Sequence, residues 1–154
     1  MRTILNNYFV LVLLFLLAGC KEDEIYNQLP KAVYITNKAP DGTANITNSA
    51  SAKKSVAAGA ARVYLNQPNG NDVTVNFTVT GTALPGQDYT PPSTLAVTIP
   101  AGKYSGEINF AVLNNANQTT NKTVIINLTA ASEGFEIGIG VLKGYGSFTY
   151  TITP

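Results

Sequence analysis

Val73-Thr74-Val75-Asn76-Phe77-Thr78-Val79 alternates apolar and polar residues without a break. Successive side chains of an extended chain point to opposite faces, so this stretch turns Val73, Val75, Phe77 and Val79 to one side and three polar groups to the other. β-branched and aromatic residues gathered on one face suit a half-buried strand. The pattern returns at the end of the chain, where Phe148, Tyr150 and Ile152 alternate with Ser147, Thr149, Thr151 and Thr153. Working outward, the spacing predicts strands over residues 32–36, 61–65, 73–79, 94–99, 107–113, 123–129 and 147–152. Turn-forming clusters separate them: Gln67-Pro68-Asn69-Gly70-Asn71, residues 81–92, Pro100-Ala101-Gly102 and the polar loop 114–121. About seven short strands at this spacing imply an all-β antiparallel sandwich. Residues 50–61 mix helix-favouring alanines with Gly59 and serines, and are expected to be irregular or a short strand.

Ahead of the sandwich stands a different kind of segment. Arg2 gives a short charged start, residues 8–17 are an unbroken apolar run, and Leu17-Ala18-Gly19-Cys20 sets small residues before the only cysteine of the chain. A helix needs roughly 20 apolar residues to cross a bilayer, so this run is too short for a transmembrane anchor. It has the anatomy of a signal peptide that ends in a bacterial lipoprotein lipobox. The expected organisation is therefore a lipoprotein signal peptide over residues 1–19, a lipidated Cys20 with a flexible acidic tether over 20–30, and an Ig-like sandwich over 31–154. Acyl chains on Cys20 would hold the protein to a membrane, two or more of them making the attachment stable. Lys21, Glu22, Asp23 and Glu24 follow at once and resemble the export signal of Bacteroidota surface lipoproteins. That resemblance implies an outer-membrane location facing the cell exterior.

Composition narrows the partners. Losing Arg2 with the signal would reduce ten basic residues to nine, against nine acidic ones. A neutral chain supplies no basic face for phosphate contacts, so no nucleic-acid partner is expected. With one cysteine, no disulfide forms within a monomer.

One motif carries a resemblance. Leu84-Pro85-Gly86-Gln87-Asp88-Tyr89-Thr90, followed by Leu95-Ala96-Val97-Thr98-Ile99-Pro100-Ala101-Gly102 and a strand from Ile108, is similar to the Calx-beta family of Ig-like modules. It also resembles Ig-like domains of unknown function in Bacteroidota surface lipoproteins, which often precede glycosidase or lectin domains. The residues have a structural reading of their own. Pro85-Gly86 turns the chain, Asp88 bonds local backbone N–H groups, and Tyr89 plugs the core with its hydroxyl on a backbone acceptor. Pro100 and Gly102 close one strand and redirect the chain. Calx-beta modules bind calcium through clustered loop carboxylates, whereas residues 114–121 here read Asn-Asn-Ala-Asn-Gln-Thr-Thr-Asn. Calcium favours several charged oxygen ligands, so no metal site is expected; a weak one would have to draw on Asp88 or Asp72.

Catalysis has few candidates. The chain lacks His, no Ser sits in a Gly-x-Ser-x-Gly setting, and the carboxylates Asp41, Asp72, Asp88, Glu107, Glu133 and Glu136 are scattered. Gly138-Ile139-Gly140 has the wrong spacing for a phosphate loop and reads as turn glycine. No enzyme activity and no cofactor are expected. What remains is a lipid-anchored interaction or spacer module, which the resemblance links to glycan handling or adhesion. Two alternatives stand beside it. One is a carbohydrate-binding module in which Tyr64, Tyr89, Tyr104, Tyr145, Tyr150 and Phe135 stack on sugars while amides bond their hydroxyls. The other is a subunit that pairs with a protein partner through a β-edge, which the final strand would allow.

Overall fold

A computed structural model describes residues 29–37 and 46–154, and all of its regular structure is β. The signal segment, Cys20, the Lys21 to Glu24 cluster and Asp41 lie outside the described residues. Ten strands follow in order: β1 (Ala32–Asn37), β2 (Ser49–Lys53), β3 (Ala58–Leu65), β4 (Val73–Gly81), β5 (Tyr89–Thr90), β6 (Ala96–Ile99), β7 (Ser105–Val112), β8 (Lys122–Ala131), β9 (Glu136–Ile137) and β10 (Ser147–Thr153). They form two five-stranded sheets, β5-β7-β3-β1-β9 and β2-β10-β8-β4-β6.

The alternation read from the sequence builds the core between the sheets. In β4 it buries Val73, Val75 and Phe77, and in β10 Phe148, Tyr150 and Ile152. Across the gap, β1, β3 and β7 supply Val33, Ile35, Val63, Leu65, Ile108 and Phe110. β8 shows how the period is kept when the pairing slips. Val124, Ile126 and Leu128 face inward, but the register with β4 shifts between Asn76 and Phe77, so that Asn76 opposes Ala130 while Phe77 opposes Leu128. One extra residue in the bulged strand restores the inward face at Ala131, which packs on the core.

The count of seven strands becomes ten because three elements lie where periodicity is weak. β5 and β9 have two residues each, too few to show a period. Residues 50–61 resolve into two strands and a turn. β2 is a low-volume alternation, Ser-Ala-Ser-Ala-Lys, with Ala50 and Ala52 against the core. β3 begins at Ala58, and Gly59 is required there because a Cβ would run into the Phe110 ring.

Pairing is antiparallel except at two places. β2 runs parallel to β10, and β9 parallel to β1. The first follows from the path of the N-terminal strand: β1 pairs with β3 only as far as Asn37, then the chain continues into the other sheet as β2. β9 is a brief return to the first sheet between β8 and β10. One consequence corrects an expectation. β10 carries β8 on one side and β2 on the other, so the final strand has no free edge over Thr149 to Thr153 for a partner to extend.

Gly81 opposes Val124 at the end of β4 with φ of 124°, and a Cβ there would run into the Thr123 carbonyl. Gly86 also has positive φ, 78°, but open space around it. Gly86→Ala is therefore expected to cost only backbone strain, about 1 kcal/mol, whereas Gly81→Ala adds a backbone clash and costs about 3 kcal/mol or more. Denaturant titration of the two variants checks the order; equal losses would mean that the facing ends of β4 and β8 separate freely.

Candidate functional site

The sandwich has two ends of different character. At one, the chain enters through Leu29 to Lys31, close to the turns after β3, β6 and β8. At the other lie the turn between β2 and β3 and the loops that flank β5 and join β7 to β8. This second end, the loop end, holds the motif around Asp88.

Leu84 to Tyr89 is wound tightly. The N–H groups of Gln87 and Asp88 donate to Leu84 O at 3.1 and 2.9 Å, and Gly86 N–H donates to Tyr89 O at 2.8 Å. Gly86 takes the left-handed conformation that this turn demands. The Asp88 side chain is only 1% exposed. Its Oδ2 accepts the Leu84 N–H at 2.8 Å, and its Oδ1 accepts the Asn115 side-chain amide at 2.7 Å, which ties this turn to the loop after β7. Burial alone would push the Asp88 carboxyl pKa up. The bonds from Leu84 and Asn115, with the charge of Lys122, outweigh that and hold it below its usual 3.8.

Lys54 closes the same end from the other sheet. Its backbone N–H donates to Thr153 O at 2.8 Å, and its Nζ donates to both Asn115 O and Gln118 O at 3.0 Å. Two loop carbonyls thus converge on a cation that the chain itself provides. Gln118, 4% exposed, pins the loop inward with amide bonds to Thr120 O (3.0 Å) and Ile152 O (2.8 Å). Among the described residues no group of three or more His, Cys, Asp or Glu is placed to hold a metal ion. The cluster ties loops together, with the Asp88 carboxylate buried and Lys54 part-buried over the loop carbonyls.

Beneath it Tyr89 is buried, its ring edge-on to Phe110 at 6.3 Å, and Phe110 is edge-on to Tyr150 at 5.1 Å. This ladder spans both sheets and plugs the loop end. The Tyr89 hydroxyl, which the sequence reading pairs with a backbone acceptor, makes no such bond among the described residues, and the ring is held by its packing against Phe110. Tyr150 and Phe135 are core residues too, so three of the six aromatics considered for a sugar platform are unavailable to one. Tyr64 is half-buried and stacked on Tyr34 at 5.6 Å, with Arg62 over its ring at 6.0 Å. Tyr104 and Tyr145 remain exposed, at 55% and 38%.

The remaining carboxylates among the described residues are apart from Asp88 and individually engaged. Glu107, on the outer face of the first sheet, pairs with Arg62 at 2.8 Å. Asp72 Oδ1 accepts the Ala101 N–H at 2.9 Å and so fixes the turn of Pro100 and Gly102 at the entry end, where Gly102 N–H reaches Asn69 O at 2.8 Å. Glu133 takes amides from Asn71 (3.1 Å) and Asn69 (3.4 Å), which lower its pKa, with help from Lys31 and against slight desolvation. Glu136 pairs with Lys143, and its pKa falls for that reason. Glu133 and Glu136 thus face different partners, and neither converges with a second acid. Lys54, Asn115 and Gln118 were missed from sequence; Lys54 gives no local signal, since only the switch of β2 between sheets carries it to the loop after β7.

A carboxyl with a depressed folded pKa contributes stability that is complete above its unfolded value and lost as pH falls through the folded one. Stability should therefore decline as pH drops below about 4. Asp88→Asn places an amide donor opposite the donors Leu84 and Asn115, and is expected to cost about 1–3 kcal/mol at neutral pH. It should also flatten the acid decline, leaving the part due to Glu133 and Glu136. Denaturant titrations from pH 7 to pH 3 check this; parallel profiles for the two proteins would refute the role of the Asp88 charge.

No family model matches the chain, and no curated protein matches it. Solved structures do. The apo form of the Calx CBD1 domain superposes with a TM-score of 0.62 at 15% identity, over 81% of this chain and 97% of that one. CBD12 from CALX1.2 gives 0.60 at 15% identity, over 79% of this chain and 43% of that one. A two-domain protein of unknown function from Bacteroides fragilis NCTC 9343 gives 0.51 at 12% identity, over 88% and 51%. The chain thus spans less than half of CBD12 and about half of the Bacteroides protein. At such identities the likeness is one of fold, and the fold is a Calx-beta-like sandwich.

Proposed function

We propose that this chain is a non-enzymatic, lipid-anchored module of the outer membrane, displayed on the cell exterior, that serves as a spacer or interaction unit in glycan handling or adhesion. The observation that carries this reading is the contrast between its ends. The chain arrives at one end, from the side of the lipobox, while the other end is closed by Lys54, Asp88 and Asn115 with the chain's own groups. Such a module holds its shape without a ligand. Glycan handling or adhesion enters through the resemblance to Ig-like domains of Bacteroidota surface lipoproteins. A second reading, direct glycan binding, is favoured only by the exposed rings of Tyr104 and Tyr145, and a glycan array tests it.

Anchoring and display are tested together in whole cells. Wild type should incorporate labelled palmitate and be shaved by added protease. Cys20→Ala should lose the label, and the triple change of Glu22, Asp23 and Glu24 to Ala should keep the label but resist shaving. Palmitate in the Cys20→Ala protein would remove the anchor, and equal shaving of wild type and the triple variant would remove the export role of the acidic cluster.

Calcium separates this reading from a calcium-controlled module. A ligand specific to the folded state adds about 2.7 kcal/mol at a hundredfold excess over its Kd, a shift of several degrees in Tm for a domain of this size. With Lys54 on the loop carbonyls, calcium at about 1 mM, a hundredfold over a 10 µM site, is expected to leave the Tm unchanged. A rise reversed by chelator would overturn the ligand-independent closure.

A further inference from the structure

Residues 138–145 leave the first sheet between two backbone bonds with β1, Gly138 N–H to Val33 O and Tyr145 O from Ile35 N–H, both 2.8 Å. Between them Ile139 and Gly144 exchange backbone bonds at 2.8 and 3.0 Å, and Lys143 N–H reaches Gly140 O at 3.1 Å. Val141 and Leu142 therefore hold the two central positions of a tight turn. Such positions ordinarily go to Gly, Asn, Asp, Pro or Ser, which suit the backbone and meet water readily. Here Val141 is 99% exposed and Leu142 93%. Nothing among the described residues packs closely on them. Behind the tip, a groove of about 580 Å³ runs between the hairpin and the chain entry, lined among others by Leu29, Pro30, Ala32, Ile139 and Val141.

The position of Leu29 beside the hairpin bears on what meets this tip. Leu29 shares the groove with Val141, so whatever holds the preceding residues also holds the tip nearby. A stable protein interface needs roughly 800 Å² from each partner, more than Val141 and Leu142 provide even with the partly exposed Leu29, Ile139 and Tyr145 beside them. A bilayer interface accepts a small apolar wedge without a complementary shape. Lys143 is paired with Glu136, so the wedge works through apolar burial and needs no anionic lipid.

We propose that Val141 and Leu142 are a membrane-contact wedge that enters the bilayer carrying the lipid on Cys20. The proposal rests on the anchored reading above. Eight residues lie between Cys20 and Leu29, and the nine steps they span reach at most roughly 32 Å. The anchor thus gives the wedge a high effective concentration of bilayer, and a contact too weak to bind a membrane alone suffices to orient the domain. The loop end with Lys54 and Asp88 then points away from the lipid.

The chain has no Trp, so a single indole reports one site. The lipidated full-length protein is reconstituted into vesicles of phosphatidylethanolamine with a minor share of phosphatidylglycerol, with or without bromine on the acyl chains. Leu142→Trp should show blue-shifted emission that the brominated chains largely quench, and the quenching should persist without phosphatidylglycerol. Gln87→Trp, exposed at the loop end, should stay unquenched. Flotation of the same samples reads anchoring separately. Protein that floats while the Leu142→Trp indole stays as bright as the Gln87→Trp one overturns the wedge and leaves the anchor standing. Protein that does not float overturns both. A blue shift that follows protein density and ignores bromine puts a second copy on the tip, and also overturns the wedge.

Discussion

A sandwich of two sheets covers its flanks with its own strands but is open at both ends, where core side chains and unpaired backbone groups meet the loops. Closing those ends is the constraint on which the rest of this structure depends. At the loop end the closure is made by polar groups over aromatic rings, with Val56 and Leu84 half exposed beside it. Asp88 gathers Leu84 and Asn115, Lys54 gathers Asn115 O and Gln118 O, and the rings of Tyr89, Phe110 and Tyr150 fill the space below. A buried carboxylate is tolerated only when its oxygens are bonded, and a loop carbonyl turned inward is tolerated only when it finds a donor. Each group here answers the demand of another, from four separate segments of the chain.

The core was legible because period-two alternation is a property of single strands. Val73 to Val79 and Phe148 to Ile152 face inward for the reason visible in their own order. Sheet membership was not, because it depends on pairing between distant segments. Nothing in Ser49 to Lys53 says that it lies parallel to β10, since the cause is the point at which the N-terminal strand leaves β3 and changes sheets. The same limit applied to the site. Asp88 stood out as a turn residue, but Asn115 was one amide among several and Lys54 one lysine of a neutral chain. The six rings considered for a sugar platform met a related ambiguity: an aromatic on an alternating strand serves a core or a surface equally well, and burial assigned Tyr89, Tyr150 and Phe135 to the core while Tyr104 and Tyr145 stayed exposed.

The entry end is closed by different means. Asp72 holds the turn at Pro100, Glu133 collects Asn69 and Asn71, and Lys31 bridges Asn69 to the Glu133 carbonyl while its ammonium lies 5.2 Å from the Phe135 ring centre. These bonds are mostly exposed and individually weak. They fix the direction in which the chain arrives, but they leave the hairpin of Val141 and Leu142 outside the packed body. The loop end keeps Val56, Leu84 and Leu95 about half covered, whereas Val141 and Leu142 stand almost fully uncovered, so the two ends differ in how much apolar surface they leave unpacked.

The nature of the closing cation then limits what the loop end can do. A metal ion held by loop oxygens comes and goes with its concentration, so loops closed in that way have two states and can report on the solution around them. An ammonium on a side chain is supplied at a fixed ratio and cannot diffuse away. Lys54 therefore closes the loops around Asn115 and Gln118 without an ion from solution, with Asp88 bound to the same loop through the Asn115 amide. A sensor needs the first arrangement. A part that must present the same surface whatever the surrounding medium contains is better served by the second, and the closure by Lys54 is of that second kind.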